Sequence, residues 1–99
     1  MYETYTDVPT IFEIKIRELG WIYDVYLEVD DTHIPAEWVG FSNFYDSHSG
    51  ETVRFSIFNV LYTFENVEYN KRATFHYSIN GCNYVCEPFI FNVEPFYDA

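Results

Sequence analysis

Residues able to do chemistry are few in this 99-residue chain, and their spacing suits little of it. Asp30-Asp31 is the only adjacent carboxylate pair. Neighbours on a strand point to opposite faces, so the two cannot converge on one substrate bond as a glycosidase pair does. His33 near Asp30 and Asp31, and Asp46 with His48, offer oxygen and imidazole to a cation. Their spacing matches neither an EF-hand loop nor a zinc ligand set. Loops between strands can still gather acids for Ca²⁺, which keeps a Ca²⁺-dependent β-sandwich as one alternative. Gly20, Gly40, Gly50 and Gly81 are isolated turn glycines rather than a phosphate-binding loop. The chain therefore reads as non-enzymatic, with no catalytic residue, cofactor or metal ligand set.

The elements that would position these groups are strands. Phe and Tyr contribute ten residues each and Trp two, a composition suited to a pleated, half-buried surface. Asn80-Gly81 lies between two alternating runs, and Asn-Gly supplies the positive φ values of a type I′ hairpin turn. A two-residue loop there pairs Ile79 with Cys82, Tyr77 with Tyr84 and Phe75 with Cys86 on a core-facing side. Ser78 then meets Asn83, His76 meets Val85 and Thr74 meets Glu87 on the other. This register turns both thiols inward and His76 outward, against a Cys–His dyad and for buried structural cysteines. Cys82 and Cys86 are also about 13 Å apart at roughly 3.3 Å per residue, beyond disulfide reach.

Phe12, Ile14 and Ile16 alternate with Glu13, Lys15 and Arg17; beyond Leu19-Gly20, Tyr23, Val25, Leu27 and Val29 alternate with Asp24, Tyr26 and Glu28. Joined as a hairpin, these runs pair Ile16 with Tyr23, Ile14 with Val25 and Phe12 with Leu27, and set Lys15 opposite Asp24. Pro35, Glu37 and Gly40 suit a short helical turn, although Trp38 to Tyr45 also reads as a strand. Between Thr52 and Phe64 the apolar parity switches after Ile57, which predicts a bulge or a strand crossing between layers. Residues 1–9 read as an edge strand or arm, and Pro88 and Pro95 mark where the last strand is interrupted. The sum predicts a single all-β domain over residues 1–99, an antiparallel β-sandwich or partly closed barrel of about six to eight strands with at most one short helix.

Charge supplies the functional expectation. Sixteen carboxylates against five Lys and Arg leave a formal charge of −11, which disfavours direct contact with nucleic acid or an anionic membrane and steers basic partners inward. Aromatic content of 22% argues against disorder. Residues 1–50 hold ten carboxylates and two basic residues, the rest six and three. Asp24, Tyr26, Glu28 and Asp30 share one parity of the second strand, with Asp31 and Glu37 following. Same-face residues about 6.6 Å apart approximate two steps of roughly 3.4 Å between phosphates on a DNA strand. These six residues are the predicted partner-binding set of a nucleic-acid-mimic inhibitor, comparable in size and charge to the anti-restriction and anti-CRISPR inhibitors of phages and mobile elements. A structural or adhesive interaction module is the other alternative. The amino end has no positive n-region or apolar h-region, no stretch approaches about 20 apolar residues, and no Asn begins a glycosylation sequon, which together predict a reducing, cytoplasmic setting.

Overall fold

A computed structural model describes residues 4–96, all of them in strands, turns and short connections. Nine strands occur among the described residues: β1 (Thr4–Tyr5), β2 (Pro9–Arg17), β3 (Ile22–Val29), β4 (Thr32–Pro35), β5 (Glu37–Asp46), β6 (Glu51–Thr63), β7 (Glu68–Ile79), β8 (Cys82–Val85) and β9 (Phe89–Glu94). They form two sheets. The larger runs β1-β9-β7-β3-β4, with β8 also on β7, and the smaller runs β2-β6-β5. The all-β sandwich read from the sequence is the fold observed, curled at its margins. At one margin β4 passes through Ala36 into β5, whose sheet is the other one, with the Ala36 N–H donating to Val25 O at 2.9 Å. At the other, β1 pairs in parallel with β9 while Thr6 bridges to Phe64 beyond β6.

The core lies between the sheets. Phe12 of β2, fully buried, contacts Phe91 at 5.3 Å and Phe89 at 5.9 Å between ring centroids, joining the smaller sheet to β9. Leu27, Val60, Ala73, Phe75 and Val93 complete this cluster, and Ile16, Val25, Phe58 and Ile79 form a second one. The molecule measures 54 × 29 × 21 Å because β5 and β6 run on past Arg17, the last residue of β2 to pair with β6, as a two-stranded ribbon. Arg54 secures the base of that ribbon, 2.6 Å from Glu18 Oε1 and 4.1 Å over the Phe41 ring.

The Asn80-Gly81 hairpin has the expected register, with Ile79 opposite Cys82 and Tyr77 opposite Tyr84, and φ of 50° and 85° at the two turn residues. The Cys86 N–H still reaches Phe75 O at 2.9 Å. The ladder ends there instead of continuing to Thr74 and Glu87: Glu87-Pro88 interrupts it, and β9 takes over the same edge of β7 at Ala73.

Four local expectations are corrected. First, β2 and β3 are not a hairpin. Ile14 pairs with Phe58, Ile16 with Ser56 and Lys15 with Ile57, so the Lys15–Asp24 neighbour pair does not form. The chain from Glu18 to Trp21 is an arch that changes sheets, held by Glu18 N–H to Arg54 O at 2.9 Å and by Trp21 N–H to Asn80 Oδ1 at 3.2 Å. Hairpin and arch bury the same alternate residues, so periodicity alone cannot separate them. Second, Pro35 ends a strand on the sheet edge, where no second ladder requires an N–H, and no helical turn forms. Third, β6 pairs with β2 without a register shift; the bulge is in β5, between Trp38 and Gly40. The two parities of β6 instead line its two faces, Ser56, Phe58 and Val60 inward and Val53, Phe55 and Ile57 outward. Fourth, Cys82 is exposed, because β8 pairs only with β7 at the sheet margin; Cys86 is half-buried against the main cluster.

Two of these details are testable. A Cβ at Gly20 would lie 2.2–2.8 Å from the Asn80 side-chain atoms that hold Trp21. Gly20→Ala should therefore cost about 1–3 kcal/mol in denaturant unfolding, as overpacking of a tight site does. Burial raises the Cys86 thiol pKa, and thiolate is the reactive form. Iodoacetamide followed by mass spectrometry should show Cys82 alkylated on the order of tenfold faster than Cys86.

Candidate functional site

The irregularity that shapes the outer face of the larger sheet is a bulge in β3. Tyr23 pairs with Ser78 and Tyr26 with His76, so Asp24 and Val25 together oppose Tyr77. Asp24 adopts a φ of 50°, a left-handed conformation that Asp tolerates better than most side chains. The bulge splits the parity of the strand: Ile22 packs inward beside Ile79, Tyr23 pairs on the outward side, and Val25, Leu27 and Val29 return inward. Bulges of this kind re-aim side chains and are common beside functional sites.

Over the bulge lies a groove of about 550 Å³, lined from β3, β4, β7 and β8 by Asp24, Tyr26, His33, His76, Ser78 and Asn83 among others. Its size falls within the ordinary range of ligand sites. Cross-strand pairing brings its rings together, since Tyr26 faces His76 and Glu28 faces His33. The Tyr26 ring stacks with both imidazoles, 4.6 Å from each centroid, with interplanar angles of 25° to His33 and 6° to His76, and the two imidazoles lie 6.5 Å apart. Beyond the stack, the Glu28 carboxylate spans both rings, with His76 Nε2 2.9 Å from Oε1 and His33 Nε2 3.6 Å from Oε2. Ser78 donates to Asn83 Oδ1 at 2.6 Å, which fixes the amide and leaves that oxygen a second lone pair. The exposed Asp24 carboxylate has no ion pair among the described residues.

The six predicted partner-binding residues fall in three places. Asp24 and Tyr26 line the groove, and Glu28 lies beside it, engaged by two histidines. Asp30 and Asp31 form the β3–β4 turn. There Asp30 holds Lys71, which also lies 3.4 Å from Glu68, and the hydrogen bond to Asp30 is the largest influence holding the Lys71 pKa above its ordinary value. Glu37 belongs to the smaller sheet, opposite Asn59 on its outward face. Only Asp24 and Tyr26 of the set thus share the groove.

His33, His76, Ser78 and Asn83 were absent from the sequence-derived set. The hairpin register already placed Ser78 opposite Asn83, a usable local signal. What brings β3 against β7 is contact across some fifty residues of sequence, such as Tyr26 with His76, and no short-range pattern carries it. Among the described residues, no group of three or more His, Cys, Asp or Glu is placed to hold a metal ion, and no helix is long and apolar enough to cross a membrane. Comparisons with protein-family models, curated proteins and solved structures found no match to this chain.

Proposed function

We propose that this protein is a non-enzymatic binding module that takes a basic protein partner on the outer face of its larger sheet, with an arginine or lysine side chain of the partner entering the groove beside Asp24. The observation that carries the reading is the set of acceptor-bearing residues that line it. Asp24 brings a carboxylate without an ion pair among the described residues, Asn83 a fixed amide oxygen and Tyr26 a hydroxyl, on a chain of formal charge −11. A guanidinium presents a planar fork of donors and no acceptor, so it complements such a set. The long-range field would draw the partner in, and the groove would fix its register.

The partner class favoured by this chemistry is a nucleic-acid-binding protein whose basic channel the module occupies, as a phage or mobile-element inhibitor of anti-restriction or anti-CRISPR type would. Asp24 and the turn residue Asp31 then stand in for phosphates, and the free thiols Cys82 and Cys86 suit a reducing cytoplasm. Glu28 and Asp30 contribute less to this mimicry, since each is already engaged within the chain. A charge-matched pair of variants separates the groove from net charge. Asp24→Asn should weaken binding of an octa-arginine peptide about fivefold or more by calorimetry, the loss of one charge-assisted contact. Glu51→Gln, at the far end of the β5–β6 ribbon, should change it less than about twofold. Equal losses would refer the binding to net charge alone.

A further inference from the structure

We infer that the outer face of the smaller sheet is the seat of a second copy of this chain, so that the protein associates as a two-fold dimer. Ile11, Val39, Phe44 and Leu61 are 57%, 52%, 61% and 63% exposed on or beside that face, with Phe55 and Ile57 half-buried between them. Exposed apolar side chains grouped on one sheet face and rimmed by polar residues mark an interaction surface.

Charge selects the occupant. Around this face β2, β5 and β6 place Glu13, Glu37, Asp46 and Glu51 with Lys15 and Arg17, so both signs of charge lie on one surface of a chain whose total is −11. A strongly basic partner would be drawn to the more uniformly acidic surfaces, whereas two acidic copies can approach each other where the cations of one meet the carboxylates of the other. The pattern is also self-complementary. Along the strands, the row Glu13–Asn59–Glu37 lies on one side of the row Lys15–Ile57–Gly40, and the row Arg17–Phe55–Ser42 lies on the other. A two-fold axis in the plane of the interface, across the strands at Ile57, sets Arg17 of each copy over the acidic row of the other. Lys15 stays at the solvent margin, where its long stem can turn away from its symmetry mate. The result is an aligned sheet-on-sheet packing about 10 Å thick.

Sedimentation equilibrium of the full chain, from about 1 to 200 μM and at low and high salt, tests this. The expected result is a dimer that tightens as salt screens the residual repulsion. Leu61→Glu, and independently Val39→Glu, should raise the dimer dissociation constant about tenfold or more with unchanged circular dichroism, while Ile90→Glu, the same charge on the larger sheet, should alter it less than about twofold. A monomer throughout that range in both salts would overturn the inference and leave the face to a different protein. A dimer indifferent to both Leu61→Glu and Val39→Glu would overturn it as well.

Discussion

Replacing Phe12 by alanine should cost about 3–5 kcal/mol, the largest loss expected of any single truncation in this chain. The ring is fully buried and contacts Phe64, Phe89 and Phe91, so its removal opens a cavity where the smaller sheet meets β9. The neighbours are themselves large rings held by sheet pairing and cannot collapse far into the space. For a domain of this length, a loss of that size should lower the melting temperature by more than about 12 °C. Ile11→Ala, one residue away on the outward side and 57% exposed, should change it by less than about 1 kcal/mol in a monomeric sample. The contrast between adjacent positions is a direct readout of which parity of β2 faces the core.

The second large effect concerns binding. Octa-arginine should bind the wild-type chain well in dilute buffer and lose on the order of tenfold in affinity between about 0.05 and 0.5 M salt, because attraction among partly exposed charges is screened over that range. The dimer should respond in the opposite direction, since two copies of like net charge meet through apolar side chains. Opposed salt dependences within one molecule would assign the two events to two surfaces: the groove at the β3 bulge, and the face of the smaller sheet.

Period-two patterning made the strands and most of their inward residues legible before any coordinates. Phe12, Ile16, Val25, Leu27 and Val29 all face the core as their alternation requires. The Asn-Gly turn disclosed the register of its hairpin from Ile79–Cys82 to His76–Val85, because turn type, loop length and register are coupled locally, but not where Glu87-Pro88 ends it. Strand partnership was not legible. Alternation states which side chains turn inward and is silent on whether the next strand lies beside or across, so the β2–β3 arch looked like a hairpin. The site suffered for the same reason. Asp24 and Tyr26 share the sequence parity of Glu28 and Asp30, yet the bulge, the imidazole stack and the Lys71 pair all arise from contacts with β4 and β7. Cys82 shows a further limit. Its parity points toward the core side, but the smaller sheet does not extend beneath the margin where β8 lies.

The central proposal is that a cationic side chain is received at one place, and amide chemical shifts during a titration with octa-arginine would locate it. The account predicts that the largest changes cluster at Asp24, Tyr26, His76, Ser78 and Asn83 and that Asp24→Asn moves them to about fivefold or more higher peptide concentration. Shifts spread evenly over the acidic residues, or centred on the β5–β6 ribbon, would contradict it.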